Sequence, residues 1–459
     1  MNSNLIKEIL PILKGTIMTG NEETYFNKVV TRVKHVKPYS LLFCIDKKEA
    51  EVLKKTSLPP CIVVIDHVDL VNHLDQEGVT VVTVKRTKAA FRRFLSYYRS
   101  IFEIPVIAIT GSTGKTTTKE MITHILKKQG NVKSTILNYN LFRSNAAVLL
   151  RFDEKTDFAV FELGVGYRGH LSLCSKYFGP FSTVITTIGA DHISRYESKE
   201  DYIQEKAKIF KGLGEKNVVV LNADCENTKK VNLSTINNKI YTFGFSDDAD
   251  YKASNFHYVE NGVKFTLTNE NKIYEVFVPG YGKHNVYNAL AAITTTNAHG
   301  IPIEVSIERL KSYKHPRRHL EVSTGLNGAT IIDDTWNTNS TSVKAALTVL
   351  KDISKEKKTV AILGQISELG TEEENEHRLI GREVFSKKID KLITVGETAS
   401  MIANEAIKMG MKNEDIFPCV NESEVLSAVA ELADPNSMIL VKTSMRQSFR
   451  DFMKKLKKR

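Results

Sequence analysis

Seven consecutive residues, Gly111-Ser112-Thr113-Gly114-Lys115-Thr116-Thr117, combine two glycines, a lysine and several hydroxyls. Glycines let successive backbone N–H groups turn toward an anion, and a helix start behind them adds partial positive charge. Lys115 can bring a full charge to terminal phosphates, and the Thr116 hydroxyl can reach a Mg²⁺ ion. The strict Walker spacing asks for a glycine where Ile109 stands, so the strict motif is broken. Alone, such a stretch would be a turn that caps a helix. Here the buried run "VIAI" precedes it, and a helical pattern with Met121, Ile122, Ile125 and Leu126 on one face follows, stopping by Gly130. That context predicts a nucleotide phosphate site.

Further groups for such a site should lie at the carboxyl ends of parallel strands. "DFAVF" runs into Glu162, "STVITTIG" into Asp191 and His192, and "VVVL" into Asn222 and Asp224. A carboxylate and a histidine at neighbouring strand ends beside a phosphate loop predict shared metal ligation by Glu162 and His192.

The elements that must hold these groups are legible in outline. From Val106 onward short apolar runs alternate with longer helical stretches, as in a parallel sheet buried on both faces. Residues 250–280 alternate and turn, which reads as a β meander, and "HNVYNALAAITTTNAHG" reads as a helix ended by Gly300. After the polar stretch around Pro316, "ATIIDDT", "KTVAILGQ", "KLITVGE" and "SMILVKTS" predict a Rossmann-like α/β unit. Before residue 100, "SLLFCI", "CIVVID" and "VTVVTV" predict a small α/β unit. The expected fold is therefore α/β in three domains. These are an N-terminal domain over 1–100, a central P-loop-type parallel sheet with the meander over 101–314, and a Rossmann-like domain over 315–459.

Composition limits the function class. The 459 residues are 42% hydrophobic and 25% charged, as in ordinary globular chains. No apolar run is long enough for a membrane span, and no signal peptide is read at the start. Five scattered cysteines without a CxxC pair argue for reduced thiols and a cytoplasmic location. The net charge of +11 suits steering of anionic substrates. No aromatic and basic residues interleave in a nucleic-acid module, so no nucleic-acid partner is expected.

Taken in order, the quoted motifs resemble the Mur ligase family. They are TGSTGKTT, Glu162-Leu163-Gly164, Asp191-His192, the helix bearing Lys206, "GKHNVYNALAA" and "DDTWNTN". "NYN" at 138–140, "AILGQISELG" with His377 following, and "LVKTSMRQSF" extend the likeness. Within the family the chain most resembles members that add D-alanyl-D-alanine to a UDP-muramyl tripeptide. The resemblance implies ATP and two Mg²⁺ ions, a small-molecule acid and amine as substrates, and a monomer. The acid is phosphorylated to an acyl phosphate, and the amine then displaces phosphate. Lys115, Glu162, His192 and Lys206 would be catalytic, with Lys206 carbamylated. Gly111 to Thr117, His284, Asn285, Asn288, Asp334 and Arg318 (or else His319) would bind ATP. Asn138 and Asn140 would face the acid. Where the family carries glycine and proline after these asparagines, this chain has Ser144 and Ala146, preceded by Arg143. Residues 41–74 contain no glycine. Two other readings stand beside this one: a ligase joining a different acid and amine in a specialised pathway, and a P-loop NTPase acting as a switch or binding module.

Overall fold

The computed structural model describes residues 4–189, 196–214, 216–234, 236–367, 369–443 and 447–457. Three larger β-sheets carry the architecture. The first has the strand order Gly15–Thr19, Val79–Val84, Cys61–Ile65, Ser40–Phe43, Lys28–Val30. Its first strand runs antiparallel to its neighbour and the other pairings are parallel. The helix Thr87–Ser100 buries Ala90, Phe91, Phe94, Leu95 and Tyr98, and Phe43 of the sheet meets Phe91 at 5.2 Å between ring centres.

The central sheet has nine strands. Val106–Thr110 lies between Phe158–Glu162 and Ser182–Ile185, parallel to both. Its residues alternate between two cores. Val106 and Ala108 pack on one face, while Ile107 and Ile109 join Met121, Ile122, Ile125 and Leu126 on the other. This period of two, with both faces covered, is why the strand is a continuous apolar run. Beyond Val218–Asn222 and Lys239–Gly244 the sheet continues without a break into the meander Tyr251–Val259, Gly262–Asn269, Lys272–Pro279. The helix Lys283–Ala298 then returns over this sheet. Its buried face packs into the same core as the helix Lys115–Leu126.

The third sheet has the order Glu321–Thr324, Thr330–Asp333, Ser437–Lys442, Lys358–Gly364, Lys391–Val395, Ile416–Cys419. Only the first pairing is antiparallel. Ala361 and Leu363 face one core, Val360 and Ile362 the other. The α/β expectation, with a meander-bearing central sheet and a Rossmann-like C-terminal sheet, holds.

Candidate active site between three sheets

The phosphate loop leaves the strand Val106–Thr110 and enters the helix Lys115–Leu126. Gly111 and Gly114 both have positive φ, 151° and 81°. A Cβ at Gly111 would collide with the Thr186 hydroxyl, and one at Gly114 with the Asn288 side chain. The glycines are therefore required by close packing as well as by backbone angle. Neighbouring elements fix the loop. The Ser112 N–H donates to the Thr187 carbonyl at 2.6 Å, and the Thr186 hydroxyl donates to the Thr113 carbonyl at 2.6 Å. The Ser112 hydroxyl contacts the Gly189 carbonyl (3.0 Å) and the Tyr202 hydroxyl (2.9 Å). Lys115 Nζ donates to the carbonyls of Gly111 (2.8 Å) and Ser112 (2.9 Å), and Lys206 Nζ also donates to Gly111, at 3.0 Å. Lys206 is buried, with its ammonium 5.0 Å from the Tyr202 ring centre.

Glu162 ends its strand beside this loop and is 1% exposed. One carboxylate oxygen accepts from the Thr116 hydroxyl and the other from Asn140 Nδ2, each at 2.8 Å. Asn140 in turn packs over Gly164, where a side chain would collide with it. A buried carboxylate next to a hydroxyl is a hard-oxygen pair that fits Mg²⁺. His192, the other expected metal ligand, lies outside the described residues.

A cavity of about 560 Å³ opens over the loop. The central domain lines it with residues 112–117, His284, Asn285 and Asn288, and the C-terminal domain with His319, Asp334, Trp336 and Lys442. Asn285 is buried. Its Nδ2 donates to the Pro279 carbonyl at 2.7 Å, while its Oδ1 has no partner among the described residues. Asn288 Oδ1 accepts from the Thr118 hydroxyl at 3.3 Å, so this asparagine ties the helix Lys283–Ala298 to the loop's helix. Desolvation by surrounding protein, only partly opposed by Asp334, lowers the His284 pKa to about 4, so the imidazole is neutral near pH 7. Although its edge is open to the cavity, protein walls the rest of the ring, and that enclosure sets its charge.

Parallel register explains the C-terminal contribution. Asp333 pairs with Val441, so Asp334 and Lys442 emerge side by side at the strand ends. They form a buried ion pair at 2.8 Å, and Lys442 also donates to the Asn337 carbonyl at 2.6 Å. Trp336 follows, its ring 5.6 Å from that of His319. Arg318, expected at the nucleotide, does not line this cavity; His319 does. Backbone geometry accounts for the difference. Arg318 and Leu320 are left-handed, with φ of 66° and 51°, and they turn His319 in against Trp336. Sequence reasoning did not single out Lys442, Thr186 or His315, which also line the cavity. Lys442 ends the run "SMILVK", and the same strand-end rule that located Glu162 would have found it.

A second cavity, of about 720 Å³, lies between the N-terminal and central domains. Asp46, Lys88 and Arg92 line it from one side, and Arg143, His170 and Lys206 from the other. Lys115, Asn138 and Asn140 line both cavities. The departure at Arg143 has a structural role. Its guanidinium crosses to the N-terminal domain, donating to Asp46 at 2.9 Å and to both the hydroxyl and the carbonyl of Thr31.

A phosphate loop facing a second α/β domain across one cavity, and a first domain across another, is the arrangement of an ATP-dependent ligase that joins an acid to an amino acid. The chain belongs to the Mur ligase family. Residues 109–296 match the Mur ligase middle domain, and residues 317–445 match the Mur ligase, glutamate ligase domain. It is similar to the UDP-N-acetylmuramoyl-tripeptide–D-alanyl-D-alanine ligase of Escherichia coli (strain K12), with 31% identity over 70% of this chain and 71% of that one. The enzyme of the same name from Bacillus subtilis (strain 168) is 29% identical over 99% of each chain. A crystal structure of MurF from Acinetobacter baumannii superposes with a TM-score of 0.87 at 23% identity, over 99% of this chain and 98% of that one.

Proposed function

We propose that the chain joins D-alanyl-D-alanine to a UDP-muramyl tripeptide in the cytoplasm, working as a monomer. The observation that carries this reading is the meeting of the two cavities at Lys115, Asn138 and Asn140. A nucleotide over the loop and an acid in the second cavity would then approach each other from opposite sides of one lysine. The likeness to the Bacillus subtilis enzyme spans the first hundred residues as well, which weighs against a specialised acid. All groups of the site belong to one chain, so the reading needs no second copy.

Residues 111–117 hold the phosphates, with Lys115 compensating charge as the γ-phosphoryl group moves. Thr116 and Glu162 hold Mg²⁺, and bound Mg²⁺ offsets the negative charge gathered there. A carboxylate oxygen of the acid attacks the γ-phosphorus, and the bond to ADP breaks. The amine nitrogen then attacks the acyl carbon, loses a proton, and phosphate leaves. Asn138 and Asn140 orient the carboxylate. Neutral His284, Asn285 and Asn288 hold the base, and Asp334 with Trp336 closes over the nucleotide from the C-terminal domain. Lys206 works as a carbamate. Carbamylation would leave one N–H on Nζ, enough to keep a donor for the Gly111 carbonyl.

Steady-state assay of the purified protein tests the whole reading. ADP release should require both the UDP-muramyl tripeptide and D-alanyl-D-alanine, with kcat/KM of at least roughly 10⁴ M⁻¹s⁻¹. ADP release with another acid and amine, and none with any UDP-muramyl peptide, would overturn the substrate assignment and leave the ligase chemistry standing.

A further inference from the structure

The second cavity contains more positive charge than the reaction at Lys115 uses. Lys88, Arg92, Arg143 and Lys115 all line it, apart from the carbamylated Lys206. Two of these cations already have protein partners. Arg143 is held by Asp46 and Thr31, and Lys115 by loop carbonyls. Lys88 and Arg92 have no hydrogen-bond or ion-pair partner among the described residues. Arg92 Nε is shielded from solvent and has no hydrogen-bond partner among the described residues, so it has a donor to spare. The one carboxylate lining this end, Asp46, is committed to Arg143 and to capping the helix Lys47–Leu53 through the Glu49 N–H at 3.0 Å.

The two free cations share a face. They are four residues apart on the helix Thr87–Ser100, so their side chains project together. Tyr167 of the central domain lines the same cavity as Arg92. A planar guanidinium with a lysine beside it matches a carboxylate or a phosphate, and the guanidinium can bind either in bidentate fashion.

Building on the function proposed above, we infer that Lys88 and Arg92 read a second anionic group of the acid substrate, one that does not react. The reacting carboxylate lies at the Lys115 end, and the second anion docks on the N-terminal helix. It is either another carboxylate of the peptide or the pyrophosphate of the nucleotide. The pair thereby acts in specificity: it selects acids with two anionic groups spaced to fit the cavity and sets which carboxylate meets the γ-phosphate.

Kinetics of Arg92→Gln test this. KM for the UDP-muramyl tripeptide should rise about 10- to 100-fold, the range for a lost charge-assisted hydrogen bond. KM for ATP and kcat should stay within about twofold. Lys88→Gln, at an exposed position, should move KM in the same direction by less and cannot be ascribed to misfolding. Two analogues identify the anion. One has its non-reacting carboxylates amidated, and the other is the muramyl tripeptide without the uridine nucleotide. Whichever lacks the anion should bind the native enzyme as weakly as the parent substrate binds Arg92→Gln, and Arg92→Gln should weaken it no further. Normal turnover by the native enzyme with an unchanged KM in both variants would overturn this inference alone. No turnover of UDP-muramyl tripeptide by the native enzyme would overturn the function it rests on, and the assigned ligand with it.

Discussion

Replacing Lys442 with methionine should destabilise the C-terminal domain by about 3–5 kcal/mol, the usual cost of leaving one member of a buried ion pair alone. The geometry justifies the upper part of that range. Lys442 is 2% and Asp334 11% exposed, with N and O 2.8 Å apart. At an effective dielectric constant of about 20 the attraction is about 6 kcal/mol before desolvation is subtracted. Lys442→Met keeps most of the side-chain volume, so the loss reports charge and not a cavity. It strands the Asp334 carboxylate and also removes a donor from the Asn337 carbonyl. Asp334→Asn added to Lys442→Met should recover a large part of the loss, because an amide tolerates the site without a counter-charge. Urea unfolding followed by tryptophan fluorescence is the assay. The chain has one tryptophan, Trp336, two residues from Asp334 and beside His319, so the signal reports this domain. A loss below about 1 kcal/mol, or strictly additive effects in the double-mutant cycle, would refute the reasoning.

Lys115→Ala should abolish ATP turnover while cooperative unfolding stays intact, since its contacts are to loop carbonyls at the cavity; near-normal activity would remove the nucleotide assignment. Gly114→Ala should cost about 1–3 kcal/mol and weaken nucleotide binding, because φ is 81° and the new methyl meets Asn288; calorimetric binding of ADP would show it. Lys206→Ala should be nearly inactive and partly rescued by small carboxylates, and the native enzyme should slow when CO₂ and bicarbonate are stripped; full activity of Lys206→Ala would exclude a carbamate. Stability should fall as pH drops from about 6.5 toward 4. Burial holds His284, His299 and His315 at pKa values of about 4, below the usual 6.5, so the unfolded chain binds more protons in that window. Thermal unfolding with no change across that window would contradict the assigned environments.

The phosphate loop, Glu162 and the strand ends were legible because each is a local pattern: a turn chemistry, then a buried run that stops at a polar residue. The three sheets were legible for the same reason. What the sequence hid depends on chain crossings. Arg143 looked like a departure at a substrate turn, and only the packing of two domains shows it bound to Thr31 and Asp46, about a hundred residues away. The choice between Arg318 and His319 turns on left-handed backbone at two non-glycine residues, which no side-chain pattern announces. Lys206 was singled out by the family resemblance, but its shared acceptor with Lys115 required coordinates.

That shared acceptor bears on how the loop changes state. The Gly111 carbonyl receives hydrogen bonds from two ammonium groups, one on each side of the junction between the cavities. When a phosphate arrives and draws Lys115 away, Lys206 still occupies this carbonyl, so of the two acceptors that Lys115 leaves, Gly111 and Ser112, the first keeps a donor. The lysine is released toward its ligand at a lower desolvation penalty than if both carbonyls lost their donor. At Gly111 the resting contact therefore works as a parking position with a relief occupant.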